Sequence, residues 1–424
     1  MRFHRKLLAK ITIKHKLIWV GMKRQIFVNG TRSAVVRCCD QLPERPLKCT
    51  VVPLTRKSNE NNGQAIIRTY SMKPTILVTG SGGFVGFATV KALLALGHTV
   101  KAFELTGSPY LSGLYDLAAK HPDISVLEGD IIQMDDVRSA MQGVTHVVHS
   151  AALLNSIART DAFHAVNVQG TQNAMDAASE AGVKRFLLVS TSDVFGIPDP
   201  GEIIRETTPY RPWHEPYADT KIAACRALKA HHKRHGLNYT IIYPGWVYGP
   251  GDRQFFPAIT DMLREKYVFL WHRNQPYAVD FIYIDDLVTA ITNALFNPAA
   301  ENEDFLILNE QAHHTPEMIF RWMAEYLGIN IVLYKLPYWL MMQIARTSQW
   351  LTQKGFTRKH LLSTTDVKAF GNDFRFSTAK ARNTLKWRPQ MAEPEGFLQY
   401  FRWAGISPAA AHQAAEHSAH NESH

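Results

Sequence analysis

The chain has 424 residues, 46% hydrophobic and 20% charged, long enough for a full α/β domain with a smaller second one. Its formal charge of +10 is uneven: residues 1–71 hold 15 Lys/Arg against 3 Asp/Glu, and the remainder holds 32 against 34. A nucleic-acid-binding surface needs clustered cations on the folded body, so that class is excluded, and no uncharged apolar run of about 18 residues offers a transmembrane span.

Residues 1–39 are basic and free of acid. They fit an organelle-targeting presequence or a dispensable extension, and the second reading is preferred because nothing from 40 to 71 looks like a domain and Met72-Lys73-Pro74 precedes the first strand. The 1–71 leader is therefore expected to lack ordered structure. Beyond Cys38, Cys39 and Cys49 of the leader only Cys225 remains, which cannot form an internal bridge; a reducing compartment follows, with the cytoplasm as lead reading and organelle targeting or a membrane-peripheral location left open.

From Met72 short β-branched and apolar runs alternate with helical patterns. Strands are expected at 75–79, 99–104, 125–129, 145–150, 185–191 and 239–243, with helices at 84–96, 112–120, 134–142, 162–181 and 217–235. Repeated strand–helix–strand units predict a doubly wound parallel sheet of the Rossmann type, here residues 72–245. The aromatic-rich 246–405 segment is read as a smaller, discontinuous substrate domain that also returns segments to the sheet. Leu336-Pro337-Tyr338 opens an apolar helix, read as a core or lid helix rather than a membrane-surface contact because Arg346 and Lys354 interrupt it. Residues 406–424 form an Ala/His-rich tail whose His412, His417, His420 and His424 fit no zinc spacing, so no metal is expected.

The chemistry starts at Thr79-Gly80-Ser81-Gly82-Gly83-Phe84-Val85-Gly86, between the first strand and helix. Gly80 permits the turn, Gly83 lets a pyrophosphate approach the backbone, and Gly86 lets helix and strand pack closely. Glu104 closes the second strand, where a carboxylate accepts from ribose hydroxyls and repels a 2′-phosphate; NAD is favoured over NADP. Asp130 ends the third strand, placed to meet the adenine amino group. Tyr217 and Lys221 stand four apart on one helix face, so the ammonium is expected to lower the phenol's pKa. They follow a strand that ends in Val189-Ser190-Thr191-Ser192, whose hydroxyls can hold a substrate oxygen.

These segments resemble the extended short-chain dehydrogenase/reductase superfamily over residues 72 to about 405. The glycine turn matches its TGxxGxxG, His149-Ser150-Ala151-Ala152 its HxAA, and Asn167-Val168-Gln169-Gly170-Thr171-Gln172-Asn173 its NVxGTxN. The resemblance implies Tyr217 as general acid/base, Lys221 on the nicotinamide ribose, and Thr191 with Ser192 on the reacting oxygen. It also implies an NAD site built from Gly80, Gly83, Phe84, Val85, Gly86, Glu104, Asp130, Ile131, Ala151, Ala152, Asn167, Tyr217, Lys221 and Pro244, although Asn167 reads equally well as a helix cap.

Two departures narrow the substrate. Members acting on nucleotide sugars carry Asn and Arg near the diphosphate where this chain has Trp246 and Val279. Together with Phe374-Arg375-Phe376-Ser377, this resembles the 3β-hydroxysteroid dehydrogenase branch and implies a small apolar, sterol-like alcohol or ketone. Asp193 keeps a nucleotide-sugar epimerase or dehydratase as the alternative, and a non-catalytic NAD-binding scaffold is the alternative of another class. A homodimer stays open.

Overall fold

In the computed structural model the described residues are 73–154, 159–253, 255–272, 281–310, 314–357 and 362–406, together with the backbone of three leader strands. Val279 and the four tail histidines lie outside them. The chain divides into two units, Met1–Ser71 and Met72–His424. In the first, β1 (Arg24–Val28), β2 (Thr31–Arg37) and β3 (Thr50–Pro53) form an antiparallel sheet in that order. The sequence reading gave the leader no regular structure; two β-branched pairs set this register, Val35 opposite Val52 and Val36 opposite Val51.

In the second unit, β4 (Thr75–Thr79), β5 (Thr99–Glu104), β6 (Ile124–Glu128), β7 (His146–His149), β8 (Arg185–Val189) and β9 (Tyr239–Pro244) are the six expected strands, shifted slightly at their ends. After them come β10 (Trp246–Tyr248), β11 (Tyr267–His272), β12 (Phe281–Tyr283), β13 (Glu303–Ile307) and β14 (Val332–Pro337). The main sheet is parallel throughout, in the order β13-β9-β8-β7-β4-β5-β6. The β13 strand is a return from the 246–405 segment. Chain direction across the sheet reverses between β4 and β7, and such a switch point opens a crevice at the strands' carboxyl ends.

Both faces of the sheet are covered, which is why its strands are near-continuous apolar runs. Leu77, Val147, Phe186 and Ile241 enter one layer, with side chains of α3 (Met134–Met141), α4 (Thr171–Ala181) and α5 (Pro216–His235). Their neighbours Ile76, Val148, Leu187 and Ile242 enter the other, with α1 (Phe84–Ala95), α2 (Leu111–Ala118) and α7 (Ile284–Phe296). A third core gathers Tyr248, Phe281 and Phe320 with α6 (Phe255–Arg264), α8 (Pro316–Leu327) and α12 (Glu393–Trp403). Further elements are α9 (Tyr338–Gln353), α10 (Thr364–Ala369) and α11 (Ala379–Thr384).

The helix expected over 162–181 is not uniform. A turn at Thr160–Phe163 leads into a π-helical stretch, His164–Gly170, before α4. The widened turns accompany a Thr171 hydroxyl that donates to the Asn167 carbonyl at 2.7 Å.

Candidate active site

The glycine turn sits at the crevice. Gly80 has φ +65°, and a Cβ there would meet the Ala151 backbone at 2.7 Å. At Gly86 a Cβ would stand 2.1 Å from the Gly80 carbonyl oxygen, so α1 packs onto the turn only without a side chain. Gly83 is different: its nearest contact would be 3.3 Å, leaving room beside the turn for a ligand. No side chain caps α1 at Gly83 and no acid lies in its first turn, which leaves the helix-start N–H groups around Phe84 and Val85 for an anion. Glu104 is buried, and its Oε2 accepts from the Gly82 N–H at 2.7 Å, holding a carboxylate at the edge of the turn. An uncapped helix start, a glycine turn with open space and an adjacent carboxylate fit the diphosphate and ribose of a dinucleotide.

Other expected cofactor residues are placed unevenly. Ala151 and Ala152 follow β7 beside Gly80, and Pro244 is buried at the end of β9. Asp130 already uses Oδ1 to accept from the Ile132 N–H at 3.0 Å. The Ile131 side chain belongs to the core, where a Cβ on Gly170 would meet it at 2.7 Å. Its expected role narrows to the backbone, because an apolar side chain there has gone to the sheet–helix interface. Asn167 is not a helix cap: buried in the π-helical stretch, it accepts from the Leu153 N–H at 2.7 Å and donates to the Thr220 hydroxyl at 3.1 Å. It ties the segment after β7 to α5.

The first turn of α5 carries the chemistry. Pro216 occupies a helix-start position where no N–H is needed, and the Glu215 carboxylate accepts from Ala218 N at 2.6 Å and Tyr217 N at 3.2 Å. A cap of this kind contributes about 1 kcal/mol and fixes where Tyr217 projects. Sequence reasoning missed Glu215; the Glu-Pro pair just before Tyr217 was the available signal. His149, also buried, holds Thr79 at 2.8 Å and Thr171 at 3.0 Å, and burial with the nearby Lys221 charge pushes it down to about 3, so it serves as a neutral strut.

Thr191 and Ser192 are buried at a short 3₁₀ turn after β8, and the Thr191 hydroxyl donates to Asp193 Oδ2 at 3.0 Å. Tyr217 departs from expectation. Its phenol is raised, first by burial and then by the Asp193 and Glu215 carboxylates, against a lowering hydrogen bond with Thr191. The expected lowering by Lys221 is corrected because that buried ammonium donates to the Val189 carbonyl at 2.7 Å, and burial itself lowers it to about 8. Asp193 is raised to about 6, mainly by burial, with the Thr191 hydrogen bond opposing and Glu215 reinforcing. The structure thus brings Thr191, Asp193, Glu215, Tyr217 and Lys221 together. A cavity of about 400 Å³ beside Thr160, His164, His214 and Glu215 borders this turn, but Tyr217 and the glycine turn do not line it.

Residues 76–307 match the NAD dependent epimerase/dehydratase family. The chain belongs to that family. Its matched span runs from β4 to β13, the whole parallel sheet, and NAD is the family's cofactor. Within the family the chain is of the extended short-chain type, in the 3β-hydroxysteroid dehydrogenase-like branch. It is 28% identical over 345 residues to a Mycobacterium tuberculosis protein named 3 beta-hydroxysteroid dehydrogenase/Delta 5-->4-isomerase, covering 74% of this chain and 86% of that one. To short-chain dehydrogenase/reductase family 42E member 1 of Bos taurus it is 28% identical over 369 residues, 79% of this chain and 89% of that one. The fold is similar to a Thermotoga maritima UDP-glucose 4-epimerase, with a TM-score of 0.62 and 22% identity, covering 78% of this chain and 98% of that one. A Bacillus cereus UDP-glucuronic acid 4-epimerase, solved with UDP-glucuronic acid and NAD, has a TM-score of 0.63 at 21% identity, with the same coverage of 78% and 98%.

Beside the catalytic turn lies an aromatic cluster. The Trp213 indole donates to the Asp193 carbonyl at 2.6 Å, and Lys368 of α10 donates to the Trp213 carbonyl at 3.4 Å. Just after α10, Phe370 meets Trp246 edge-on at 4.7 Å, and Trp246 also meets Phe255 at 5.0 Å and Phe281 at 6.0 Å.

Proposed function

We propose that this family member is an NAD-dependent oxidoreductase that moves a hydride between the cofactor and a secondary alcohol or ketone of an apolar, sterol-like substrate. In this reading residues 72–245 hold the cofactor and residues 246–405 receive the substrate. The observation that carries it is Trp246. At a position where a polar diphosphate contact would be needed, the chain places an indole inside a cluster of Phe255, Phe281 and Phe370, one side-chain layer from the catalytic turn. Burying a sugar diphosphate against such a surface leaves its charge without partners, whereas an apolar ring system gains from it.

When bound, NAD supplies the hydride acceptor at nicotinamide C4. The chain's own residues manage the proton. In oxidation the Tyr217 phenolate takes the substrate hydroxyl proton as the C–H electron pair leaves the carbinol carbon; in reduction the protonated phenol returns it to the carbonyl oxygen. The Thr191 hydroxyl positions that oxygen. Because burial and the two carboxylates hold Tyr217 protonated, the resting site is poised as a proton donor.

A second reading has its own observation: Asp193, raised to about 6 beside Thr191 and Tyr217, is an additional acid/base of the kind needed by epimerases or dehydratases. One experiment separates the two. A panel of 3-hydroxysteroids, other lipid alcohols and nucleotide sugars is incubated with NAD, following NADH absorbance and product mass. The steroid arm is expected to yield NADH and ketone, and Tyr217→Phe to reduce that rate about 10²–10⁴-fold while NAD binding persists. Sugar conversion without net NADH, with the steroid arm silent, would replace the first reading by the second. Undiminished turnover in the Phe variant would remove Tyr217 from the mechanism.

A further inference from the structure

The outer side of α9 and the sheet it packs on carry an aromatic and cationic surface that the proposed chemistry does not use. Along α9 and its C-terminal cap the exposed positions are Trp339, Gln343, Arg346, Thr347, Trp350 and Lys354. Steps of four, three, four and four from Trp339 through Gln343, Arg346 and Trp350 to Lys354 keep them on one helix face. The opposite face is anchored: Met341 and Ala345 are buried with Trp271 and Val367. The interruption by Arg346 and Lys354, which in the sequence argued for a core or lid helix, falls on the outer stripe between and after two tryptophans that are 66% and 52% exposed. Phe356 follows, 72% exposed, its ring 6.2 Å from Trp350.

The neighbouring strands extend the surface. β11 and β14 pair in parallel, with Tyr267 opposite Val332 and Phe269 opposite Tyr334. Alternation puts Tyr267, Phe269 and Trp271 on one sheet face, and Trp271 is the residue that α9 covers. The same face continues uncovered, since Tyr267, Phe269, Val332 and Tyr334 are all exposed.

Charge identifies the occupant. Residues 326–365 contain Lys335, Arg346, Lys354, Arg358 and Lys359 and no Asp or Glu, although the chain beyond residue 71 is close to neutral. Lys335 is paired with Glu317 at 2.9 Å, so Arg346 and Lys354 are the cations on the stripe. A second copy of the chain is a poor partner, because a two-fold contact would set this cationic stripe against itself. Tryptophans at headgroup depth, flanked by cations and aromatic rings, match a bilayer surface rich in anionic lipid. No helix among the described residues is long and apolar enough to cross a membrane.

We propose that the face formed by the outer stripe of α9 and the exposed side of β11 and β14 docks the protein on an anionic lipid bilayer. The docking does not depend on which substrate the site accepts. Full-length protein is floated with vesicles of phosphatidylcholine alone or with phosphatidylserine, at low and high salt, beside the variants Arg346→Glu/Lys354→Glu and Trp339→Ser/Trp350→Ser. The wild type is expected to float with phosphatidylserine vesicles and to be released by salt. Each double variant should partition about tenfold more weakly, with melting temperature and NAD binding unchanged. The basic leader adds vesicle affinity that these variants leave intact, so variants floating like the wild type would overturn the proposal and assign binding to the leader. Absence of wild-type flotation would also overturn it, as would a wild-type dimer dispersed by the Trp variant without any vesicle binding. Should the Trp variant misfold, the charge-reversal variant alone decides.

Discussion

Asp193 is the residue whose placement costs the fold most visibly. Its carboxyl is raised from the ordinary value near ~4 to about 6, mainly by burial, a shift worth up to about 3 kcal/mol. An acid raised on folding binds its proton more tightly when folded, so this group's contribution to stability is full below about pH 4 and is lost as pH rises to about 6. Asp193→Asn should therefore raise the melting temperature by a few degrees at pH 7 to 8, with the gain vanishing near pH 4. The same anion helps to raise the Tyr217 phenol. Its removal should move the alkaline-rising limb of kcat/KM for alcohol oxidation to lower pH, and an unmoved limb would mean that Asp193 does not act on Tyr217. At this scale the sequence told part of the story. The spacing of Tyr217 and Lys221 and the hydroxyl at Thr191 mark residues that converge in space. The direction of the phenol's shift was not legible, because it depends on Lys221 turning to the Val189 carbonyl and on Glu215 capping the helix, both set by tertiary packing.

The element made by β4, the glycine turn and α1 tolerates no side chain where the helix crosses the turn. Gly86→Ala would drive a methyl into the Gly80 carbonyl, whose oxygen lies 2.1 Å from the built position, and relief requires lifting α1 off the strand. Overpacking of this kind costs about 1–3 kcal/mol, and it moves the helix start that faces the cofactor. Gly113 in α2 is the control, since an added Cβ there meets nothing nearer than 3.8 Å and alanine favours the helix. Gly86→Ala should lower the melting temperature and weaken NAD binding at least about tenfold by fluorescence titration, while Gly113→Ala leaves binding unchanged; equal binding by both would sever the turn from the cofactor. Elements built from apolar runs were legible because a strand buried on two faces needs such a run. The seventh strand was not, since it begins with Glu303 and Asp304. Their charges are met by Lys380 at 2.6 Å, by Lys229 and by the Tyr243 hydroxyl at 3.0 Å, partners no local pattern reveals. The π-helical stretch is similarly hidden, depending on Asn167 reaching Leu153 and Thr220.

At the scale of the whole molecule, the family match and the contact boundary point the same way: the sheet and every catalytic candidate lie after Ser71. The glycine turn begins eight residues beyond Met72, the switch-point crevice lies between β4 and β7, and both sheet-covering layers draw on residues beyond that boundary. The leader brings a net excess of twelve cations and a sheet of its own, which makes it a separate contributor to surface charge. A chain beginning at Met72 should therefore fold, melt cooperatively and bind NAD within about twofold of the full-length protein, since additivity holds for parts that share no partners. Its formal charge changes from +10 to −2, so non-specific adsorption to polyanions such as heparin should fall sharply while NAD titrations remain superimposable. An insoluble product, or one that binds NAD more than about tenfold more weakly, would show that the leader supports the sheet; weaker heparin binding with unchanged NAD affinity would place it outside the catalytic fold.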